Sequence, residues 1–253
     1  QFIRNYWQSH GSTTHQDSSL HFLGIYTQEE DAVHLDYLLD TAVQAGFACN
    51  WLNMDKVGWD GEYFVDHEGA AIKHAFKLYP WEWMLRDDFA RHLASSGTRF
   101  IEPPWKAILS NKGILPLLWQ MFPGHPNLLP AFFLADVAEA LTGGVAAPAV
   151  AAAFDAARDE LARGHVLKPI FSREGAGVSI WEQGREVVRT GDDSYSHHPM
   201  IVQGLAPLPD FGGFHPVLGA WIIGETCVGL GLREDQSRIT HNLSRFKPHF
   251  IEG

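Results

Sequence analysis

The amino-acid sequence predicts an α/β protein with an N-terminal portion built on an open parallel sheet and a mainly antiparallel C-terminal portion. Three observations carry this prediction. A strand, a helix and a second strand follow one another over residues 20–52, which is the order typical of parallel sheets. From His165 onward, short apolar runs alternate with turns, which is typical of antiparallel strands. The chain has 253 residues, 45% of them hydrophobic, which is enough to bury a substantial core.

The first elements follow from residue spacing and from turn residues. Residues 20–26 are predicted to form a strand. Thr27 and Glu30 fit a capping box, in which the two side chains satisfy the first unpaired N–H groups of a helix. Apolar residues then recur at helical spacing until Gly46 ends the helix. Residues 47–52 are the next predicted strand.

The middle of the chain alternates helices and turns. Residues 135–164 are rich in alanine, and Gly143-Gly144 and Pro148 divide them into two predicted small helices. The other elements predicted here are a hairpin over 58–69, a helix over 81–95, a short strand over 100–102 and a helix over 113–122 that Ser110-Asn111 caps.

Beyond His165 the predicted elements are strands. They cover residues 166–171, 178–182, 186–189, 200–203, 217–223 and 226–232. We place the boundary between the two portions near residue 110, which gives a first domain of residues 1–109 and a second of residues 110–253.

Composition excludes several classes of function. The net charge of −11 disfavours nucleic-acid binding, because neutralising phosphates requires a basic face. We expect no membrane span and no signal peptide, since no apolar run is long enough for a span. Cys49 and Cys227 lie in apolar surroundings without a motif, which predicts buried, reduced thiols and a cytoplasmic protein.

The stretch Val-Leu-Lys-Pro-Ile-Phe-Ser-Arg-Glu-Gly-Ala-Gly over residues 166–177 is a candidate phosphate-binding segment. A strand places Lys168 at the start of a turn that contains glycines. Glycines let backbone N–H groups approach phosphate oxygens, and a lysine supplies a positive charge. An ordinary hairpin accounts for the same residues, and the Gly-Lys-Ser/Thr ending of a Walker A loop is absent.

Three further segments have the same two possible explanations. Lys112 precedes a predicted helix, where a bound anion or simple solvation would account for it. The strand and connector over 200–206 could hold adenine or merely leave the core. Arg233 could clamp a phosphate or pair with the acids Glu234 and Asp235.

Taken in order, these segments resemble the C-terminal synthetase domain of the glutathionylspermidine synthase family, which has an ATP-grasp fold. The matching residues are Trp105-Lys106, Asn111-Lys112, 114–120, Phe122-Pro123, Lys168-Pro169, 172–175, Gln203, 206–209 and 231–235. The ending over 244–249 is similar to that of the shorter, synthetase-only bacterial members. The similarity begins near Leu20 and is weakest over 135–164.

This resemblance implies an ATP-dependent carboxylate–amine ligase. Such an enzyme phosphorylates a carboxylate with ATP, and an amine then attacks the acyl phosphate. The implied cofactors are ATP and Mg²⁺. The implied partners are small molecules only, namely a peptide or glutathione-like acid and an amine or polyamine; the oligomeric state stays open.

The resemblance also implies roles for individual residues. Lys112 and Lys168 would bind the ATP phosphates, and Arg233 would be the catalytic residue facing the transferred phosphate. The other implied ATP-binding residues are Ser172, Arg173, Glu174 and Gly175 in the loop, and Gln203, Gly204, Leu205 and Ala206 in the adenine hinge.

The same resemblance places Glu29, Glu30 and Trp81 near the peptide substrate. A capping box for Glu30, and a helix start for Trp81, account for these residues equally well.

One departure from the family pattern concerns the metal. The family's magnesium ligands are an Asp, a Glu and an Asn in motifs similar to Gly-Arg-Phe-Asp and Leu-Glu-Tyr-Asn-Ala-Asp, and would precede Leu20. Neither motif occurs, so we expect no metal ligand in this chain and an N-terminal region missing from it. The alternatives are a catalytically silent nucleotide-binding or scaffold protein of the same fold, or an unrelated α/β enzyme whose lysine loops are structural.

Overall fold

The computed structural model describes residues 5, 19–27, 29–192 and 194–250. The chain divides into two compact units. Unit 1 comprises Gln1–Ala107 and Ile222–Val228, and unit 2 comprises Ile108–Trp221 and Gly229–Gly253.

Unit 1 contains a four-stranded parallel sheet, as the strand–helix–strand order predicts. Its elements are β1 (Leu20–Gly24), α1 (Glu29–Gln44), β2 (Cys49–Asn53), β3 (Gly58–Trp59), β4 (Phe64–Val65), β5 (His74–Lys77), α2 (Trp81–Met84), α3 (Ala90–Leu93) and β6 (Arg99–Ile101). The sheet has the strand order β2-β1-β5-β6, and each neighbouring pair is parallel. Helix α1 buries Leu35 and Ala42 against Phe22 of β1.

The predicted helix over 81–95 is wrong. The structure has two short helices instead, α2 and α3. Between them the backbone hydrogen bonds span three residues rather than the four of an α-helix. They run from the Arg86 N–H to the Trp83 carbonyl and from the Ala90 N–H to the Asp87 carbonyl. The break lets Phe89 pack edge-on against the buried Phe64, with ring centroids 6.0 Å apart.

Unit 2 is built mainly on antiparallel strands, as the sequence predicts. Its elements are α4 (Ala107–Ser110), α5 (Ile114–Met121), β7 (Ala131–Phe133), α6 (Leu134–Leu141), α7 (Ala151–Arg163), β8 (Gly164–Pro169), β9 (Ser179–Glu182), β10 (Arg185–Arg189), β11 (Met200–Gly204), β12 (His215–Ile223), β13 (Thr226–Asp235) and β14 (Arg245–Phe246). Helix α4 begins at the last residue of unit 1, and the end of β12 and the start of β13, within Ile222–Val228, also belong to unit 1. The predicted strands are confirmed, with ends shifted by a few residues. The two alanine-rich helices are confirmed as α6 and α7.

The main sheet of unit 2 has the order β10-β9-β8-β11-β7, and its neighbouring strands are antiparallel. One face is covered by α6 and α7, which bury Val137, Phe154 and Leu161 against Phe132 and Val202 of the sheet. A second sheet has the order β12-β13-β14. None of the described helices is long and apolar enough to cross a lipid bilayer.

Candidate functional site

Lys168 and Gln203 lie on the same face of the main sheet of unit 2. In the antiparallel pairing of β8 with β11, Lys168 is opposite Ile201 and Val166 is opposite Gln203. Opposed residues and residues two apart share a face, so all four side chains point the same way. The Lys168 ammonium donates a hydrogen bond to Gln203 Oε1 at 2.7 Å. The structure thus brings the predicted phosphate-binding lysine to the predicted adenine hinge.

The electrostatic surroundings of Lys168 favour an anion. Its side chain is half-buried, and burial lowers the pKa of Lys168 from its ordinary value. Within the described part of the chain, no charged group offsets this effect on the pKa. The hydrogen-bond partner, Gln203, is neutral and only 9% exposed. A bound anion would supply a negative charge to balance this ammonium.

Lys112 connects the start of α5 with the loop that follows β8. Its backbone N–H donates to the Ile170 carbonyl at 2.8 Å. Its ammonium donates to the Ser172 carbonyl at 2.7 Å and to Ser172 Oγ at 3.0 Å. Asn111 Oδ1 accepts from the Gly113 N–H at 2.8 Å and so forms a turn just before α5. Lys112 therefore contacts Ile170 and Ser172, which closely follow Lys168 in the chain.

Glycine is required in the loop between β8 and β9. Gly175 and Gly177 have φ angles of +76° and +66°, which residues other than glycine rarely adopt. A Cβ at Gly175 would lie 2.7 Å from the Thr240 carbonyl oxygen, and one at Gly177 would lie 2.8 Å from Pro169 Cγ. The glycines thus allow a left-handed turn and a close approach of neighbouring groups.

The second half of this loop is anchored to residues that the sequence did not single out. The Gly177 N–H donates to the Asp192 carbonyl at 2.8 Å, and Thr190 Oγ1 donates to the Gly175 carbonyl at 2.7 Å. The N–H groups of Ala176 and Val178 donate to carbonyls within the loop. The N–H groups of residues 176–178 are thus already bonded within the protein, and a phosphate would have to contact the first half of the loop, residues 172–175. A threonine that follows a strand has no sequence signal for such an anchoring role.

The hinge after β11 has two committed backbone donors. The Gly204 N–H donates to the Pro130 carbonyl at 2.8 Å, and the Leu205 N–H donates to the Gly164 carbonyl at 3.0 Å. Neither N–H can therefore bind adenine without breaking an internal bond. Ala206 is the exposed end of the hinge.

Arg233 lies on β13, opposite Phe246 of β14. Its guanidinium carbon is 5.8 Å from the centre of the Phe246 ring. The neighbouring acids pair with other residues, because Glu234 binds the Lys247 ammonium at 2.8 Å and Asp235 is bound within the following turn. This arrangement argues against the interpretation of Arg233 as the ion-pair partner of those two acids.

The turn after β13 joins this strand to the main sheet of unit 2. Ile239 packs with Val166 and Ile180, and Arg238 binds Glu182 at 2.6 Å. Because Val166 shares a sheet face with Lys168, the turn lies on the face that carries the candidate site.

Asp235 holds this turn together. Its carboxylate accepts hydrogen bonds from Ser244 Oγ at 2.7 Å and from the Ser237 N–H at 2.8 Å, and His241 lies at 3.1 Å. Burial opposes ionisation of this carboxyl, but the hydrogen bonds and His241 outweigh burial and lower the pKa of Asp235.

The sequence matches a family model over almost its whole length. The model is described as glutathionylspermidine synthase preATP-grasp, and it matches residues 1–252. The chain belongs to this family.

This family member is similar to three curated relatives, each of which it covers only in part. It is 36% identical over 258 residues to a Haemophilus influenzae protein named as a candidate acid–amine ligase, covering 99% of this chain and 59% of that one. It is 30% identical over 264 residues to trypanothione synthetase of Crithidia fasciculata, covering 94% and 36% of the two chains. It is 26% identical over 248 residues to the bifunctional glutathionylspermidine synthetase/amidase of Escherichia coli, covering 88% and 36%. The chain thus spans about three fifths of the first relative and about a third of the other two.

Among solved structures, the crystal structure of the D-cycloserine synthetase DcsG is similar to this family member. The two share 19% identity with a TM-score of 0.47, covering 92% of this chain and 76% of that one.

The predicted substrate residues of this family member lie in unit 1. Glu29 and Glu30 are exposed in the first turn of α1. Gln28 lies outside the described residues, so the capping box of Thr27 and Glu30 stays a prediction. Trp81 is only 5% exposed and packs edge-on against Phe100, which is the environment of a core side chain.

The described residues offer no ready magnesium site. No group of three or more His, Cys, Asp or Glu side chains within them is arranged to hold a metal ion. The residues do not fit a bound Mg²⁺, and we assign no ligand to it.

Proposed function

We propose that this chain carries the nucleotide-binding part of an ATP-dependent carboxylate–amine ligase with an ATP-grasp fold. Residues 110–253 would form this part, and residues 1–109, which precede them in the chain, would form a pre-ATP-grasp portion. Membership of the glutathionylspermidine synthase family supports the reaction class. The observation that carries the proposal is the half-buried Lys168 ammonium, whose pKa burial lowers and whose partner is the neutral Gln203.

The phosphate groups would bind beside Lys168. A triphosphate oxygen would replace or join Gln203 as the acceptor and would stabilise the ammonium. Lys112 would keep the loop over the phosphates, because its ammonium already binds both oxygens of Ser172. The loop residues Ser172, Arg173, Glu174 and Gly175 would complete the contact.

Adenine would lie against the hinge formed by Gln203, Gly204, Leu205 and Ala206. Because the Gly204 and Leu205 N–H groups are committed, recognition would use carbonyl oxygens and the exposed end of the hinge. Arg233 would face the phosphate during transfer, where charge develops and a guanidinium can contact two oxygens.

The reaction needs positioning rather than a protein nucleophile. A substrate carboxylate oxygen would attack the γ-phosphorus and ADP would leave; an amine nitrogen would then attack the acyl carbon and phosphate would leave. Lysine and arginine side chains would hold the reacting oxygens and offset their charge.

The substrates would be a peptide or glutathione-like acid and an amine or polyamine. The names of the trypanothione and glutathionylspermidine synthetases support this class. The net charge of −11 is compatible with a cationic amine. Exposed Glu29 and Glu30 are better placed to meet a solute than the buried Trp81. We also propose a cytoplasmic location, where ATP and reduced thiols are abundant.

Calorimetric titration with MgATP tests the site. Lys168→Met keeps the alkyl stem and removes the charge, and it should weaken binding by roughly 10- to 100-fold, which corresponds to a charge-assisted hydrogen bond of about 1.5–3 kcal/mol. The matched control is Lys56→Met, because the Lys56 side chain is 62% exposed and its ion pair with the neighbouring Asp55 lies at the surface. Equal affinity of both variants and the unmodified chain would remove Lys168 from the nucleotide site. Tight binding without phosphate release when acid and amine are added would favour the catalytically silent alternative.

A further inference from the structure

The loop between β8 and β9 borders a second connection, which joins β10 to β11. The Ile170 N–H, at the start of the loop, donates to the Pro199 carbonyl at 2.9 Å. The Ile170 carbonyl accepts from the Lys112 N–H at 2.8 Å. The first residue of the loop is therefore held from two sides, by Lys112 and by the end of the β10–β11 connection.

His198 is the buried histidine of this connection, with only 8% of its surface exposed. Its imidazole ring packs edge-on against Phe171 of the loop, with ring centroids 5.4 Å apart and planes at 69°. The rings of Tyr195 and His197 lie 6.1 and 4.1 Å from it. The His198 N–H also donates to the Tyr195 carbonyl at 3.0 Å, which forms a turn. The imidazole thus packs between Phe171 and the rest of its own connection.

Each of the first three residues of the loop has a partner outside the loop. Ile170 is held by the two backbone hydrogen bonds described above. Ser172 accepts from the Lys112 ammonium through both of its oxygens. Phe171 lies between these two anchors and packs on His198. The His198 ring is therefore the contact that fixes the middle of this three-residue segment.

A contact of this kind orders a loop before any ligand binds. One edge-on ring pair changes an equilibrium by roughly 2- to 10-fold. A loop that is ordered in advance loses less conformational entropy when it binds a ligand. Removal of the His198 ring should therefore open the start of the loop more often and weaken the binding of a phosphate there.

We propose that His198 is a positioning residue for the nucleotide site. Through Phe171 it holds the start of the loop in the arrangement that receives the phosphates, and it does not itself contact the nucleotide. The inference rests on the proposed function for the identity of the ligand. The ordering of the loop by His198 is a property of the chain without nucleotide, so the two can be tested separately.

Amide hydrogen exchange of the full chain without nucleotide tests the ordering. His198→Ala should speed exchange at the Ile170 N–H by roughly 2- to 10-fold, whereas His198→Phe, which keeps a ring against Phe171, should stay within about twofold of the unmodified chain. The matched control is His67→Ala, because the His67 side chain is 64% exposed. An unchanged Ile170 rate in His198→Ala would overturn the inference. An equal change at Val202, in the middle of β11, would show general destabilisation and overturn it too.

Calorimetric titration with MgATP tests the functional consequence. His198→Ala should weaken binding by roughly 2- to 10-fold, because the variant must order the loop when the nucleotide binds, and His198→Phe should restore most of the affinity. Unmodified affinity in His198→Ala, together with faster exchange at Ile170, would overturn the positioning role. If the unmodified chain does not bind MgATP, the proposed function fails, and the exchange rates still decide whether His198 holds the loop.

A second variant removes the same contact from the other side. Phe171→Ala should speed exchange at Ile170 by a similar factor, and adding His198→Ala should change the rate little further, since the contact is already lost. Circular dichroism and melting curves establish that each variant is folded. If His198→Ala does not fold, Phe171→Ala and His198→Phe decide, and an unchanged Ile170 rate in Phe171→Ala would refute the proposal.

Discussion

The bond between Lys168 and Gln203 makes a prediction about stability without any nucleotide. Lys168→Met removes a half-buried positive charge, which relieves desolvation, but it leaves Gln203 Oε1 unpaired in a side chain that is 9% exposed. An unpaired buried acceptor costs about 1–3 kcal/mol, so we expect a net loss of about 1–2 kcal/mol in the free energy of unfolding. Gln203→Met leaves the ammonium without its acceptor and should cost at least about 2 kcal/mol.

The double variant, Lys168→Met with Gln203→Met, separates the pair from its surroundings. Both polar groups are replaced by apolar side chains of similar length, so stability should return to within about 1 kcal/mol of the unmodified chain. Urea unfolding of the unmodified chain, the two single variants and the double variant at neutral pH measures the coupling free energy, provided that the denaturant dependence is the same in all four. Additive effects, within about 0.5 kcal/mol, would refute the claim that the two side chains form one buried unit.

The pH dependence of this pair has a definite sign. Burial lowers the pKa of Lys168 in the folded chain, so between the folded and unfolded pKa values the unfolded chain binds more protons. Stability of the unmodified chain should therefore rise, relative to the double variant, as pH increases through this alkaline window. A relative fall would show that the ammonium is stabilised rather than desolvated.

Three further changes test other parts of the site. Gly177→Ala should destabilise the chain by more than Gly184→Ala, since both glycines have positive φ but only Gly177 would place its Cβ 2.8 Å from Pro169; strain alone costs about 1–2 kcal/mol, and urea unfolding measures the difference. Asp235→Asn should lower the free energy of unfolding by about 1–3 kcal/mol near neutral pH. This loss should shrink as pH falls through the lowered pKa of Asp235, because protonation removes the same stabilisation from the unmodified chain. A loss that stays constant in acid unfolding curves would contradict the ionised carboxylate. Arg233→Ala, in a preparation with ligase activity, should reduce turnover by about 10²–10³-fold and change the affinity for ATP much less; the reverse ranking in steady-state kinetics would remove its transition-state role.

Local sequence patterns predict much of this fold. The parallel order of β1, α1 and β2 follows from spacing and from Gly46, which has a φ angle of +98° at the end of the helix. Strands β5, β7 and β14 were not predicted, because such short runs hold little alternation. The equally short β6 was predicted with the help of Pro103-Pro104, which ends it. The break between α2 and α3 was not predicted either, since it depends on tertiary packing of Phe89 against Phe64.

The candidate site shows the same limit. The lysine and the glycines of the loop are visible in the sequence, because each reflects a local chemical need. The pairing of Lys168 with Gln203 depends on the register of β8 against β11, which no local pattern specifies. Thr190 and Asp192 anchor the loop through contacts across the sheet. The hydrogen bonds of the Gly204 and Leu205 N–H groups likewise depend on tertiary structure, which brings the Pro130 and Gly164 carbonyls to the end of β11.

Proton uptake on nucleotide binding tests the central claim most directly. If a phosphate lies beside Lys168, it raises the pKa that burial has lowered, and the chain takes up a proton on binding MgATP at alkaline pH. Calorimetric titrations at several alkaline pH values below the ordinary lysine pKa, in two buffers of different ionisation enthalpy, should therefore give different heats, and the difference should grow with pH and disappear in Lys168→Met. Identical heats in both buffers, with MgATP still bound, would place the phosphates away from Lys168.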